Sequence, residues 1–291
     1  MRGRLTRFAI FAGALASMMV SVGADAAGTK AAAGPALKSE SALILDGSTG
    51  EVIYQQKPTL VTPIASITKL MTALVVIDAQ QPLGDVIEIT KDDRWTGKGA
   101  FSHIPVGTKL TRADLLKLAL MASENRASHT LARNYPGGQP AFIRAMNSKA
   151  KSLGMMQTKF EDPSGLSNNN VSSARDLAKL VTAASRDPII REYSTLHRYD
   201  VKLGKQLFTY RNTNLLVGRD DWSIDVQKTG YTNDAGECLA MQATIEDRPV
   251  VMVFLNSFGK LTRTAEARRV RKWMAAQQPP KMASGGELAK K

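Results

Sequence analysis

The sequence predicts an α+β protein, with one antiparallel sheet assembled from both chain ends and covered by helices. Three features carry this expectation. Short apolar or β-branched runs bounded by turn residues occur near the start of the chain and again after residue 225; the middle reads as amphipathic helix; and a last helical pattern follows the final strand.

In chain order, Ala42 to Leu45 reads as a strand, Asp46-Gly47-Ser48-Thr49-Gly50 as a turn, and Glu51 to Gln55 as the returning strand of a hairpin. Pro63 precedes a helix whose apolar positions Ile67, Leu70, Met71, Leu74 and Ile77 follow the three/four spacing of a buried stripe. Thr111 with Asp114 forms a capping box that opens the run Leu115 to Met121. A further helix spans Ala141 to Leu153 and is stopped by Gly154, and another starts at Ser173 with Asp176 three residues on. Strands return at Val226 to Lys228, Leu239 to Thr244 and Val250 to Leu255. The last helix, Arg263 to Ala276, carries Ala265, Val270 and Trp273 near one face and ends before Pro279-Pro280.

The N-terminus decides the compartment. Arg2, Arg4 and Arg7 precede the apolar run Phe8 to Val22, and Ala24-Asp25-Ala26 supplies small residues at cleavage spacing. This is the layout of a secretory signal peptide, so residues 1–26 are expected to be removed after Ala26 and the protein exported, with no stable membrane anchor left. Residues 27–40 read as a flexible lead, 41–276 as a single domain and 277–291 as a flexible tail. The formal net charge of +13 favours acidic partners. Nucleic acid is excluded by export, by the low aromatic content of 6% and by the absence of a recognition motif. Cys238 stands alone, so no internal disulfide forms, and it reads as a small core residue. No metal site or cofactor is expected.

The chemistry is concentrated in three short motifs. Ser66-Ile67-Thr68-Lys69 places a hydroxyl and an amine on one face of a helix start, where the amine can take the serine proton and the helix N-terminus favours developing negative charge. The spacing alone is near chance, since Ser148 to Lys151 and Ser257 to Lys260 repeat it. Ser123-Glu124-Asn125 follows an apolar helix, with Ser167-Asn168-Asn169 as its competitor, and Lys228-Thr229-Gly230 occurs once, ending a strand. There Gly230 removes a side chain where a ligand backbone could approach.

In order and spacing the three together resemble the penicillin-recognising serine enzymes, whose motifs are Ser-x-x-Lys, Ser-x-Asn and Lys-Thr-Gly. Asp162-Pro163-Ser164-Gly165-Leu166 and Asn212-Thr213-Asn214-Leu215-Leu216 resemble secondary signatures of the D-alanyl-D-alanine peptidases, the low-molecular-mass penicillin-binding proteins. The resemblance runs from about Ser41 to Trp273. It implies the three-layer α+β fold of the β-lactamase/transpeptidase type, with a mainly helical subdomain flanking the sheet. About 60 residues follow Gly230, too few for a second β-rich domain and a membrane tail. The chain is therefore most similar to the single-domain endopeptidases, which cut the D-alanyl cross-link between peptidoglycan stem peptides in the periplasm.

The resemblance implies Ser66 as nucleophile, Lys69 as base and Ser123 as the hydroxyl that passes a proton to the leaving amine. Asn125 would orient Lys69 and hold the substrate amide, Lys228 and Thr229 would hold the leaving-side carboxylate, and the backbone N–H groups of Ser66 and Tyr231 would form the oxyanion hole. Stem peptides would be the substrate and β-lactams covalent inhibitors. Lys69 must then be shifted down by burial and by repulsion from Lys228; a drop of about three units corresponds to about 4 kcal/mol. Three rivals remain. A Ser-His-Asp triad would use His103, His129 or His197. A serine β-lactamase would need a deacylating Glu, and Glu161 is followed instead by Asp-Pro-Ser-Gly. A non-catalytic wall-binding or β-lactam-sensing module would not need both lysines.

Overall fold

The computed structural model describes residues 34–97, 102–259 and 261–277. The expected signal segment and most of the expected tail lie outside them. Chain order begins with β1 (Ser39–Asp46), β2 (Val52–Gln56) and a two-residue β3 (Thr62–Pro63), then a 3₁₀ turn, Ala65–Ile67, that runs into α1 (Thr68–Asp78). A short ribbon, β4 (Val86–Glu88) with β5 (Lys109–Thr111), precedes α2 (Arg112–Met121), α3 (Asn125–Arg133) and α4 (Gly138–Ser152). After β6 (Val171–Ser172) come α5 (Ala174–Ala184), α6 (Pro188–Thr195) and the hairpin β7 (Arg198–Leu203) and β8 (Gln206–Arg211). The chain closes with β9 (Ser223–Thr232), β10 (Gly236–Ile245), β11 (Arg248–Ser257) and α7 (Thr262–Ala275).

The main sheet is antiparallel, in the order β2-β1-β11-β10-β9, so strands from both chain ends meet at the β1/β11 ladder, where Leu43 faces Val253. The fold class is the α+β architecture expected. One face of the sheet packs under α7, through Ile44, Met241, Met252 and Phe254 against Ala267, Val270 and Met274. The face of α7 thus runs through Ala267 and Met274, with Trp273 at its margin against Tyr54 and Ala265 only partly covered. The other face, with Leu43, Val251, Val253 and Leu255, joins the larger core of α1, α2 and α5.

The predicted caps hold: Asp114 N donates to Thr111 Oγ1 at 3.0 Å, Thr111 N donates back to Asp114 Oδ2 at 3.1 Å, and Asp176 N donates to Ser173 Oγ at 3.2 Å. β1 begins at Ser39, three residues earlier than predicted. The reason is a carboxylate: Glu266 Oε1 accepts from the backbone N–H groups of Lys38 and Ser39, and Glu266 Oε2 from Ser257 Oγ at 2.9 Å. No helix among the described residues is long and apolar enough to cross a membrane.

α1 explains the site. Leu70, Met71, Ala73, Leu74, Val75 and Val76 are all buried, so the helix is enclosed on every side rather than along one stripe. Each buried Leu or Met contributes about 1.5–3 kcal/mol. A helix held this firmly carries Lys69 with it into the interior, at 0% exposure.

Candidate active site

Ser66 lies in the 3₁₀ turn at the head of α1, and its hydroxyl is 2.7 Å from Lys69 Nζ. The amine donates to Asn125 Oδ1 at 2.8 Å and to the Ser164 carbonyl at 2.7 Å. Both of those oxygens can only accept. A neutral amine has two protons, and these two acceptors use both; its lone pair is left facing Ser66 Oγ–H. The geometry therefore suits an amine that receives a proton from Ser66.

Burial brings Lys69 down to about 7, while the Asp162 and Glu124 carboxylates act in the opposite sense. Lys228, also at 0% exposure, is pushed well below the ordinary lysine range by burial first, then by Lys69 and Arg263. Desolvation is the leading cause at both lysines, and Lys69 and Arg263 add repulsion at Lys228. With Lys69 neutral its part of that repulsion disappears, while burial still disfavours the Lys228 charge.

The second and third motifs meet across the cleft. Lys228 Nζ donates to Ser123 Oγ at 2.9 Å and to the Thr229 carbonyl at 2.8 Å. Ser66, Ser123, Asn125, Thr229, Gly230 and Tyr231 all line one cleft of about 800 Å³. The structure therefore brings together every residue the three motifs singled out. Ser148 and Ser257, the chance competitors, lie elsewhere: Ser257 is bound to Glu266, and Ser148 borders a separate hollow beside α1 and α4.

Backbone strain and glycine gaps set the positions. Ala65 and Ser123, neither a glycine, hold φ of +46° and +62°, in the left-handed region that costs about 1–3 kcal/mol for such residues. Gly230 is needed for a reason different from the one expected. A Cβ there would come within 2.9 Å of the Ile64 carbonyl oxygen and 3.1 Å of Ser66 N, so the close neighbour is the protein's own backbone beneath the serine. Gly165, at φ +86°, is needed for the same reason, since a Cβ there would overlap the Ala65 carbonyl.

Sequence reasoning noted three groups only as signatures or boundaries. Asp162 is buried and its carboxylate collects the backbone N–H groups of Ser164, Gly165 and Ser167 at 2.6, 2.8 and 2.7 Å, which fixes the Ser164 carbonyl under Lys69. Thr213 Oγ1 lies 2.6 Å from Thr229 Oγ1. Arg263, at the start of α7, donates to the Gly230 carbonyl at 2.8 Å, pairs with Glu237 at 2.5 Å and lines the cleft. The Asp-Pro-Ser-Gly and Asn-Thr-Asn signatures marked the first two; only the folded chain reveals Arg263.

The rivals lose their residues. His129 Nε2 lies 3.2 Å from Ser164 Oγ, not Ser66, and that buried hydroxyl already donates to Asp162 at 2.6 Å. Glu161 is exposed and its carboxylate is taken by Lys159 and Asn169. Cys238 is buried, with burial pushing its thiol up to about 11, which leaves no thiolate for chemistry near neutral pH.

A serine beside a buried amine, faced by a second Ser–Lys pair, defines the penicillin-recognising class of serine enzymes. The family model for D-alanyl-D-alanine carboxypeptidases matches residues 28–259, and the chain belongs to that family. It is 48% identical over 244 residues to a D-alanyl-D-alanine endopeptidase of Pseudomonas aeruginosa, covering 83% of this chain and 79% of that one. It is 47% identical over 253 residues to the Escherichia coli D-alanyl-D-alanine endopeptidase, covering 86% and 82%. The crystal structure of the Streptomyces K15 DD-transpeptidase superposes with a TM-score of 0.76 at 26% identity, over 82% of this chain and 98% of that one.

Proposed function

We propose that this protein is a serine-type D-alanyl-D-alanine peptidase that opens peptidoglycan cross-links as an endopeptidase, with carboxypeptidase action on terminal D-Ala. One observation carries the mechanism: Ser66 Oγ stands 2.7 Å from an amine whose other two partners are acceptors only. Lys69 takes the Ser66 proton as Ser66 Oγ bonds to the D-alanyl carbonyl carbon, and the oxyanion is received by the backbone N–H groups of Ser66 and Tyr231. Ser123, backed by Lys228, passes a proton to the leaving nitrogen, the C–N bond breaks and an acyl-enzyme remains. Water then releases the acyl group. Lys228 and Thr229, with Thr213 against Thr229, hold the carboxylate on the leaving side, and Asn125 holds the substrate amide.

The same reading makes β-lactams covalent inhibitors, bound to Ser66 for minutes or longer, because no carboxylate is set to drive deacylation from the Glu161 position. It also places the enzyme outside the cytoplasm, in the periplasm, after cleavage at Ala26, with 41–276 as the peptidase domain and its cationic surface facing an anionic polymer. The test is digestion of purified cross-linked muropeptides by the mature protein, with products weighed. Conversion of dimers to monomers supports the endopeptidase, and slower release of terminal D-Ala from pentapeptides supports the accompanying carboxypeptidase action. Intact dimers with D-Ala released would make it a carboxypeptidase only.

A further inference from the structure

Ser123 forms part of two walls. On one side is the cleft that contains Ser66; on the other is a second cleft of about 570 Å³, bounded by His103, Ser123, Glu124, Phe208, Tyr210 and Arg211. Two buried oxygens of its lining have no hydrogen-bond partner among the described residues, Glu124 Oε2 and Tyr210 Oη. These residues are 5% and 9% exposed. The other carboxylate oxygen, Glu124 Oε1, accepts from His103 N at 2.9 Å, so the side chain is held in place while Oε2 is buried without a partner among the described residues. Burial and then the Glu124 charge push the Tyr210 hydroxyl well above its ordinary range, which keeps it a donor. Arg211 adds an exposed cation.

A buried acceptor, a buried donor and a cation at the edge form an incomplete set. An unpaired buried polar group costs about 1–3 kcal/mol, and a ligand that supplies the missing partners recovers it. The position of the cleft indicates which ligand. Ser123 protonates the leaving nitrogen in the reading above, and Tyr210 stands three residues before Thr213, whose hydroxyl contacts Thr229 in the carboxylate pocket. The second cleft therefore continues the leaving-group side of the scissile bond. A terminal D-Ala ends at the carboxylate pocket. A cross-link instead leaves as a whole stem peptide, rich in amide N–H groups, carbonyls and carboxylates, and has further length to place.

We propose that this cleft is the subsite for the leaving stem peptide of a cross-link: Glu124 Oε2 accepts an amide N–H of that stem, Tyr210 Oη donates to one of its carbonyl or carboxylate oxygens, and Arg211 pairs with a stem carboxylate. Glu124 and Tyr210 are then the residues that favour cross-link cleavage over D-Ala release. The proposal rests on the cross-link reading above. Its test uses the mature wild-type protein, Tyr210→Phe and Glu124→Gln, each with a dimeric muropeptide and with a monomeric pentapeptide muropeptide. The quantity read is the ratio of the two kcat/KM values.

Each variant is expected to lower that ratio about tenfold, the loss of one hydrogen bond to a charged or buried partner. Tyr210→Phe removes an oxygen that has no partner among the described residues, so folding is retained, and thermal midpoints verify this. Glu124→Gln also removes a charge that holds the Lys69 proton, which moves both substrates' pH profiles alike and leaves the ratio at a fixed position on those profiles to report the subsite. A wild-type protein that leaves dimers intact would sink the cross-link reading and this inference together. Wild-type cleavage of dimers with both ratios unchanged would sink the inference alone, and would mean that the two oxygens are met by water.

Discussion

Lys69 and Lys228 are both withdrawn completely from solvent, yet their surroundings are opposite in kind. Lys69 is met by oxygen acceptors, with the Asp162 and Glu124 carboxylates close enough to act on it. Lys228 has Ser123 and one carbonyl as partners, and the charges that act on it, Lys69 and Arg263, are cations. The first site is complete without substrate and is built to exchange a proton. The second lacks an anion and is built to receive one. A substrate carboxylate that arrives at Lys228 would hold its charge, and that charge would in turn favour the neutral form of Lys69.

The largest test of this contrast is substitution of each lysine in turn. Lys69→Ala should slow penicillin acylation of Ser66 by about 10³-fold or more, the scale of a lost general base, as followed by stopped-flow or intact mass. Lys228→Ala should cost about 10²-fold, and mainly for ligands that bear the carboxylate. Equal losses for ligands with and without that carboxylate would erase the distinction. The pH profile sharpens it. Because neutral Lys69 is the reactive form and its value lies at about 7, acylation should rise roughly tenfold per pH unit on the acid side and level off above about 7. Lys69→Arg should abolish that limb along with activity.

Stability should respond over the adjoining window. The folded value of about 7 lies below the ordinary 10.5, so between these pH values the unfolded chain binds more protons than the folded one, and stability rises with pH across that window. Below about 7 the full cost of burying the cation is present. Lys69→Met should therefore raise the thermal midpoint by about 5 °C at pH 6, with the gain shrinking toward pH 10. The smallest effect belongs to the carboxylate side: Thr213→Val removes one 2.6 Å contact to Thr229 and should raise KM about fivefold with kcat little changed.

Much of this was legible in the sequence. The α1 helix, the caps at Thr111 and Ser173 and the sheet drawn from both ends follow from short-range patterns, and the three motifs converge as their order implied; the apolar stripe read for α1 understated its burial, which is all round. What was missed has identifiable causes. α3 buries Ser128, His129 and Thr130 along with Ala127 and Leu131, so its inward face shows no apolar period. α6 did carry a signal, Asp187 as N-cap with Pro188 behind it. The β7–β8 hairpin carried another, two alternating runs joined at Gly204-Lys205. The roles of Gly165, Gly230 and Arg263 depend on segments distant in sequence that meet only in the folded chain, and no local pattern contains them.

The ladder between β1 and β11 has a consequence for biosynthesis. Ser39 pairs with Ser257, and Glu266 fastens the start of β1, so the second strand of the sheet has no complete neighbour until β11, at residues 248–257 of 291, has been made. Contacts this distant along the polypeptide are slow to close. The newly made protein should therefore stay inert through almost all of its synthesis, and a chain that stops short of β11 should leave an open strand edge prone to aggregation rather than a weakened enzyme.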